Sequence, residues 1–333
     1  MARVDFDSLS RLVTRIFTAH GMSQGNAAII ARVLVEAERD GTTSHGLFRV
    51  SGYLATLTSG HVDARAEPVV HDVAPSVAKV DAGNGFAQPA LAAGRALVTQ
   101  KARATGVAVM AIHNSHHFAP LWADVEPFAE DGLVAMALVN SRLRIAPWDA
   151  RTKLLGTNPM AFASPRAGKP PLVWDQASSV MAQGQVLLAA KEGRQLPPDT
   201  LIDREGNPTD DPNELMRGGA LRAFGGYKGS SIALMVEILA GALTGGQFGF
   251  EDTLGEQRGA ATQNAGELLI VIDPARFGNG AFPVRVNTLL DHLRQGGVSR
   301  LPAEQRHKMR LANRDGIPVD DETLRALEAL TGG

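Results

Sequence analysis

Three polar side chains near the amino terminus are spaced so that they could act on one small substrate. His45 follows Ser44, and Arg49 and Tyr53 come four and eight residues after His45. In a helix, residues at this spacing share one face. A histidine exchanges a proton near neutral pH, and an arginine binds a carboxylate through two parallel hydrogen bonds. The group is a candidate for acid–base chemistry on a carboxylate, although a helix start with a surface histidine and a solvated arginine has the same spacing.

A second polar cluster contains His113, His116 and His117, directly before Phe118. Neutral imidazoles bind zinc, nickel and iron, so a metal-dependent hydrolase that uses these three histidines is one interpretation. Against it, there is no HExxH pattern and no obvious nearby carboxylate, and the cluster follows a predicted strand, where i, i+4 spacing does not make side chains converge. We favour a loop that contributes one histidine to a substrate or cofactor pocket.

Two glycine-containing turns offer groups that could bind a ligand. Thr157 and Asn158, in a Gly-Thr-Asn-Pro turn, could hydrogen-bond a ribose or a carboxamide, together with the polar segment 175–179. The segment 225–231 is a glycine-rich turn before a predicted helix, where free N–H groups and the positive helix end suit a phosphate, and Lys228 adds a charge. It is not a Walker A loop, and no GxGxxG follows a predicted strand, so the standard Rossmann fingerprint is absent.

The composition excludes several classes of protein. The 333 residues are 44% apolar and include no cysteine, which excludes disulfides, zinc–thiolate sites and cysteine nucleophiles. The net charge is −2 and the densest basic stretch, 306–310, is short, so we expect no nucleic-acid partner. The longest apolar run, 232–243, is too short to span a bilayer and contains Glu237, and the first residues lack a secretory pattern. We expect a soluble, cytoplasmic protein with no membrane partner.

Apolar periodicity predicts an α/β protein. Two helices (8–19 and 23–39, the second capped by Ser23) precede a region in which strands alternate with helices. The polar clusters follow the predicted strand ends, where α/β sheets bind ligands. The predicted strands are 77–80, 107–112, 133–139, 160–163, 172–174 and 268–272, and the later helices are 89–103, 121–131, 230–243 and 320–330. The Pro- and Gly-rich segment 192–216 is interpreted as an excursion between subdomains.

Taken in chain order, these clusters resemble the type 2 malate/L-lactate dehydrogenase family, which includes sulfolactate, ureidoglycolate and diketogulonate dehydrogenases and Δ1-piperideine-2-carboxylate reductases. The matching stretches span most of the chain. They are Ser44-His45-Gly46 with Arg49, Ser115 with His117-Phe118, Asn140-Ser141, Ala146-Pro147-Trp148, Leu155-Gly156-Thr157-Asn158-Pro159, Asp175 with Ala177 and Ser179, Lys228-Gly229, and Gly316-Ile317-Pro318.

The resemblance implies a particular architecture. It implies an α/β, non-Rossmann, mixed-sheet dehydrogenase fold with a helical subdomain formed by the amino- and carboxyl-terminal segments. Residues 1–75 would form the helical amino-terminal subdomain with the Ser-His-Gly motif, residues 76–310 the α/β region that binds cofactor and substrate, and residues 311–333 a segment that packs back on the first. A homodimer that uses NAD or NADP, and no metal, is the family expectation.

The resemblance also implies roles for single residues. His45 is expected to donate the proton, with Ser44 beside it to orient the imidazole or hold substrate, whereas some members place that role on the histidine that matches His117. Arg49 and Thr157 would bind substrate, and Tyr53 is added from the helix-face argument. The cofactor contacts expected are Ser141, Asp175, Gln176, Ala177, Tyr227, Lys228, Pro302, Ala303 and Glu304, and Arg306 or His307 is the candidate for a 2′-phosphate.

These expectations lead to one predicted reaction and its alternatives. We predict the interconversion of a small 2-oxo acid and its 2-hydroxy acid by hydride transfer at C2, with His45 near the usual histidine pKa of about 6.5. The alternative is NAD(P)H-dependent reduction of a cyclic imino acid; an acidic residue used by such reductases falls near Gln185, an amide here. Gln176, Ser178, Ala119 and Ala303 also depart from the common family pattern. A binding protein without catalysis is the third alternative.

Overall fold

The computed structural model describes residues 2–251, 259–278 and 280–332, so Met1 and Gly333, the outer limits of the predicted segments, lie outside it. The strands are β1 (Ala2–Val4), β2 (Val69–Ala74), β3 (Val77–Phe86), β4 (Val107–His116), β5 (Val134–Val139), β6 (Leu143–Ala146), β7 (Leu155–Gly156), β8 (Met160–Arg166), β9 (Lys169–Gln176), β10 (Leu201–Ile202), β11 (Pro208–Thr209), β12 (Ala220–Arg222), β13 (Ala265–Ile272) and β14 (Ile317–Val319). The α-helices are α1 (Phe6–Ala19), α2 (Gln24–Arg39), α3 (Val50–Thr58), α4 (Ala87–Thr105), α5 (Trp122–Glu130), α6 (Gln183–Lys191), α7 (Tyr227–Val236), α8 (Phe282–Gln295), α9 (Glu304–Ala312) and α10 (Asp321–Ala329).

A helical layer is built from both ends of the described chain. The Asp5 side chain accepts a hydrogen bond from the Ser8 N–H to cap α1, and the Ser23 side chain caps α2 through the Asn26 N–H, as the sequence predicts for α2. The apolar faces of α1, α2 and α3 bury one core that also contains Val319 and Leu327. Strand β1 pairs antiparallel with β14, so the carboxyl-terminal segment lies against the first residues described.

The main sheet has seven strands in the order β2-β3-β4-β13-β5-β8-β9. Only the β3–β4 pair is parallel, and β13 pairs antiparallel with both β4 and β5. One face is covered by α4 and α5, and the other by α7 and the helical turn that follows it. The sheet is therefore mixed and not of the Rossmann type, which confirms the predicted fold class and explains why no GxGxxG follows its strands.

The predicted excursion at 192–216 belongs to a second, smaller sheet. Strands β10, β11 and β12 join β6 and β7 in the order β11-β10-β12-β6-β7. This sheet and α6 bury their own apolar cluster, which includes Ile145, Val186 and Leu221. Because β5 of the main sheet leads directly into β6, the connection between the two sheets carries Asn140 and Ser141.

The long helix predicted over 230–243 begins and ends differently in the structure. It starts at Tyr227, after Gly226 with φ of +64°, and changes to a π-helical turn over Glu237–Ala242. The Glu237 carboxylate, on that turn, accepts hydrogen bonds from side-chain amides of Asn140 and Asn158 and from the Gly249 N–H. The π-helical turn thus places one buried carboxylate within hydrogen-bond distance of three donors from separate segments.

Within the residues described, none of the helices has both the length and the hydrophobicity that a membrane crossing requires.

The contact between β13 and the π-helical turn gives a stability prediction. A Cβ atom at Gly266 would overlap the carbonyl oxygen of Ala240 and the hydroxyl of Thr244, so Gly266→Ala should lower the unfolding free energy by about 1–3 kcal/mol or more. Gly25→Ala is the control: a Cβ there meets nothing within 4 Å, and alanine in α2 should stabilise by up to about 1 kcal/mol. Urea unfolding of both variants measures the difference, and equal stability would contradict the packing described.

Candidate active site

A cleft of about 960 Å³ lies between the helical layer and the ends of the main-sheet strands. Both histidine motifs reach it, one from the loop after α2 and the other from the loop after β4. Among its lining residues are Ser44, His45, Arg49, His117, Phe118, Ser141, Thr157 and Gln183. The structure therefore brings together residues that are more than a hundred positions apart in the sequence.

The segment with His45 and Arg49 is not the continuous helix that the spacing suggested. It consists of two 3₁₀ turns, Thr43–His45 and Leu47–Arg49, separated at Gly46, whose ψ of −134° interrupts the helix. A Cβ at Gly46 would collide with Glu38, whose carboxylate accepts the Leu47 N–H at 2.9 Å. The close approach of α2 thus fixes the break. His45 and Arg49 line the same cleft, as their spacing suggested, but from two 3₁₀ turns and not from one α-helix.

Arg49 is held in place by one hydrogen bond and one aromatic ring. Its Nε donates to the carbonyl oxygen of Ser44 at 2.8 Å, and its guanidinium carbon lies 4.5 Å from the centre of the Phe118 ring. The Ser44 hydroxyl lies 3.0 Å from Nδ1 of His45. A guanidinium fixed in this way presents a planar cation to the cleft, which suits a carboxylate.

His45 is a weaker base than the sequence suggested. Burial, then the positive charge of Arg49 and the proximity of His117, lower the pKa of His45 from 6.5 to about 4. The expected value near 6.5 was therefore wrong, because burial, and then the neighbouring guanidinium of Arg49, disfavour a positive charge on the ring. At neutral pH this imidazole is uncharged.

His117 is paired with a buried acid that the sequence analysis missed. Its Nε2 lies 2.7 Å from Oδ2 of Asp124 on α5, and both side chains are nearly inaccessible to water. Glu267 of β13 is close to both. A ring nitrogen of His117, a carboxylate oxygen of Asp124 and a carboxylate oxygen of Glu267 all lie within 4.8 Å of one another. The expectation of no nearby carboxylate was wrong. The available signal was an acidic residue within each of two otherwise apolar segments, around Val125 and Leu268.

The three histidines of the second cluster do not converge. Nδ1 of His113 lies 3.1 Å from the Val80 carbonyl oxygen, and Nε2 of His116 lies 2.9 Å from Oδ1 of Asn84. His117 has Asp124 as its partner. Because β4 extends to His116, these side chains leave a strand in different directions, and the structure does not bring them together as one ligand set.

The Gly-Thr-Asn-Pro turn is a buried junction and not an ordinary surface turn. The Asn158 amide oxygen accepts the Ser141 N–H at 3.0 Å, and its Nδ2 donates to Glu237 at 2.7 Å. The hydroxyls of Ser141 and Thr157 lie 3.0 Å apart. A Cβ at Gly156 would collide with the Ser141 carbonyl oxygen. Ser141 and Thr157 therefore present paired hydroxyls to the cleft on a rigid support.

Another group of the predicted cofactor-binding residues lines a second cleft, of about 440 Å³. Asp175, Pro302, Ala303 and Arg306 line it beside Trp122 and Arg300. Burial raises the pKa of Asp175, while Oδ2 of Asp175 accepts the Trp122 N–H at 3.2 Å. Ala303 has φ of +65°, in the left-handed region. The common glycine of the family pattern matches this conformation, and the alanine adopts it at a cost of about 1 kcal/mol.

The two candidates for a 2′-phosphate already have an acidic partner. Arg306 donates to both carboxylate oxygens of Glu126 at 2.7 and 2.8 Å, and Nε2 of His307 lies 3.3 Å from the same carboxylate. Arg306 also stacks over Trp122, and Arg310 joins the same cluster through Asp40. Arg300, at the second cleft, is exposed to solvent.

Several predicted site residues lie outside both clefts. Tyr53 is fully buried, with its ring against those of Phe17, Phe86 and Phe118, because α3 turns it into the helical core. Tyr227 and Lys228 are exposed at the start of α7, and Gln176 is exposed at the end of β9, next to Ala177. Glu304 pairs with Arg294 and accepts the Leu301 N–H. On α6, Gln183 faces the first cleft, and Gln185 is not among the lining residues.

Comparisons with known proteins agree with this geometry. A family model described as malate/L-lactate dehydrogenase matches residues 4–328. A Δ1-pyrroline-2-carboxylate/Δ1-piperideine-2-carboxylate reductase of Pseudomonas putida is 49% identical, over 100% of this chain and 98% of the relative. A (2R)-3-sulfolactate dehydrogenase (NADP(+)) of Chromohalobacter salexigens is 41% identical, over 96% and 95% of the two chains. The crystal structure of a Δ1-piperideine-2-carboxylate reductase from Pseudomonas syringae pathovar tomato superposes with a TM-score of 0.98 at 49% identity, over 99% of this chain and all of that one.

The effect of Arg49 on His45 can be measured directly. Arg49→Met removes a positive charge and keeps an apolar stem, so the pKa of His45 should rise from about 4 towards 6.5. Titration of the histidine ring signals by NMR measures the shift, and Arg15→Met, on the exposed side of α1, is the control that should change nothing. A wild-type His45 that already titrates near 6.5 would contradict the electrostatics described.

Proposed function

The chain belongs to the malate/L-lactate dehydrogenase family and is an oxidoreductase that uses a nicotinamide cofactor; from this premise we propose that it reduces a cyclic imine with a carboxylate on the imine carbon. The substrate class is that of Δ1-pyrroline-2-carboxylate and Δ1-piperideine-2-carboxylate, the compounds named for relatives at 49% identity. The product is the corresponding cyclic amino acid.

The observation that carries the proposal is the position of His45 beside Arg49 in the first cleft, where burial and the guanidinium charge lower the pKa of His45. Reduction of a ketone produces an alkoxide, which needs an acid with a pKa near the working pH. A protonated imine already carries its proton on nitrogen, so hydride addition to its carbon yields a neutral amine without any further proton donor. A histidine with a pKa of about 4 is a poor donor at neutral pH but a good hydrogen-bond acceptor for the imine N–H.

Other residues of the first cleft would bind the substrate or orient His45. Arg49, held over Phe118, would bind the substrate carboxylate through its fork. Ser44 would hold Nδ1 of His45 and so direct the other ring nitrogen at the imine. Ser141 and Thr157 would hydrogen-bond polar groups of the substrate or the cofactor.

The second cleft fits part of a nicotinamide cofactor, which supplies the hydride when bound. The Asp175 carboxyl group, exposed near the end of β9, can accept hydrogen bonds from ribose hydroxyls. Pro302 and Ala303 form the backbone of the opposite wall. Asp175 favours an unmodified ribose and hence NADH, whereas the exposed Arg300 favours the 2′-phosphate of NADPH. The choice between the two cofactors is therefore part of the assay below.

Reduction of a 2-oxo acid is the second candidate function. The pair of His117 with Asp124 supports it, because a histidine oriented by a buried carboxylate is a suitable proton donor to an alkoxide. A relative at 41% identity is named for the oxidation of a 2-hydroxy acid. In this case Arg49 would bind the same carboxylate and His117 would replace His45 as the acid.

A substrate screen with single-site variants tests the proposal. We expect the purified protein to oxidise NADH or NADPH with the two cyclic imines at a kcat/KM at least about tenfold above that with 2-oxo acids, measured by loss of cofactor absorbance. His45→Ala should lower imine reduction by about 10–100-fold, the range for a hydrogen bond to a charged group. His117→Ala should lower any 2-oxo acid reduction by about 10²–10⁴-fold, the range for a general acid.

The outcomes of this screen separate the candidates. Faster turnover of 2-oxo acids than of imines, lost in His117→Ala, would establish the second function instead of the first. Binding of a cofactor without turnover of either class would leave only a binding protein and overturn both.

We also propose a homodimer, formed through α7 and the turn after it. Leu234, Met235 and Ile238 form an apolar stripe at helical spacing, and each is at least 40% exposed. Such a stripe on a helix that covers one face of the main sheet suits a second copy of the same surface. A cytoplasmic location, predicted from the sequence, stays a prediction.

Ile238→Asp tests this interface. A charge in the centre of a dimer contact should convert the protein to a monomer in light scattering coupled to gel filtration. Leu311→Asp, an equally apolar and exposed site on α9, is the matched control and should leave the mass unchanged. A wild-type protein that elutes as a monomer would contradict the proposal.

A further inference from the structure

Glu267 lies in the centre of the main sheet, where a charge is least expected. It is part of β13, between β4 and β5, and is paired in register with Ile112 on one side and Val139 on the other. Its side chain is fully buried, and neither carboxyl oxygen has a hydrogen-bond partner among the described residues. An isolated carboxylate in such a place is strongly disfavoured unless it is neutralised.

The side chain points towards α4 and α5, on the same face of β13 as Leu269 and Val271. The ionisable groups that face it there are Asp124 on α5 and His117 after β4. On α4, Lys101 and Arg95 are bound to Asp72 and Asp131. Glu237, from the π-helical turn, is hydrogen-bonded to Asn140 and Asn158. Glu267 therefore faces one acid and one histidine, and no cation on these elements is directed at it.

Two acids and one imidazole share this buried space. Burial raises the pKa of Glu267 well above 4.5, and the nearby Asp124 raises it further. Burial also raises the pKa of Asp124, but the hydrogen bond from His117 opposes that shift. The two acids differ in their hydrogen bonds: Asp124 has a donor at 2.7 Å, and Glu267 has none among the described residues. The ionised form consequently belongs to Asp124 and the proton to Glu267.

We propose that Glu267 is a positioning residue that keeps its own proton and thereby maintains Asp124 as the single carboxylate that orients His117. The proposal rests on the second candidate function, 2-oxo acid reduction, in which His117 is the acid, but it concerns a group that does not touch the substrate. When His117 is neutral, the array carries one negative charge, on Asp124. An ionised Glu267 would place a second negative charge within 4.8 Å of the first in a buried site. The carboxylates of Asp124 and Glu267 would then repel each other, and His117 would lose its fixed orientation.

Glu267→Gln tests this assignment, because glutamine has the shape of the protonated acid and cannot ionise. In 2-oxo acid reduction at about pH 7, the variant should keep kcat and KM within about threefold of the wild type. As the pH rises, the wild type should lose kcat when Glu267 ionises, and the variant should lack that alkaline loss. Glu67→Gln, at an exposed position before β2, is the matched control and should show the wild-type profile.

Two measurements do not depend on turnover. The carbonyl band of a protonated carboxyl group should be present in the infrared spectrum at about pH 7.5, should shift on labelling with [¹³C]glutamate, and should be absent in Glu267→Gln. An acid whose pKa is higher in the folded chain than 4.5 stabilises the fold fully below about pH 4.5 and loses that contribution as the pH rises. The difference in Tm between Glu267→Gln and the wild type should therefore shift in favour of the variant as the pH rises from about 5 to about 8.

Several results would overturn the assignment. One is the absence of a glutamate-derived carboxyl band in the wild type; another is a Glu267→Gln variant that folds but loses activity at neutral pH. Stoichiometric zinc or iron in the purified protein, lost in Glu267→Gln, would show that the three side chains bind a metal instead. If no imine or 2-oxo acid is reduced, the proposed function fails, while the infrared and Tm results still decide the state of Glu267.

Discussion

The removal of ionisable groups from water determines the chemistry of this cleft. For His45, Asp124 and Glu267, burial is the largest cause of the pKa shift, and the neighbouring charges add to it or oppose it. The positive charge of Arg49 adds to the effect of burial in lowering the pKa of His45, whereas His117 opposes the rise in the pKa of Asp124. The same desolvation strengthens every interaction that a bound carboxylate would make, because the local dielectric is low.

The strand order explains how such groups come to share one place. Strand β13 is inserted antiparallel between β4 and β5, so its start, near Glu267, lies beside the ends of both neighbours. His117 follows β4, and Ser141 follows β5. The helical layer supplies His45 and Arg49 from outside the sheet. The sheet therefore fixes the acid–base groups, and the helical layer fixes the groups that would bind the substrate.

Local patterns were sufficient to predict much of this from the sequence. Apolar periodicity and caps located the main helices and strands, and the ordered motifs identified the family, the enzyme class and the mixed sheet. The failures came from tertiary effects. The break at Gly46 depends on Glu38 from another helix, and the partner of His117 lies one element later. The pKa of His45 depends on its own burial and on the charge of Arg49. Tyr53 had the right spacing but faces the core, because a 3₁₀ segment and an α-helix rotate by different angles per residue.

The ion cluster around Glu126 connects features that have so far been described separately. Arg306 forms part of the second cleft, and Arg306 and Arg310 together hold Asp40, which ends α2 three residues before Thr43. Glu126 belongs to α5, the helix that also carries Asp124. Helix α9 is therefore bound both to Asp40, at the start of the His45 segment, and to α5, the helix that contacts His117. One pair of guanidinium groups, those of Arg306 and Arg310, thus connects the walls of the two clefts.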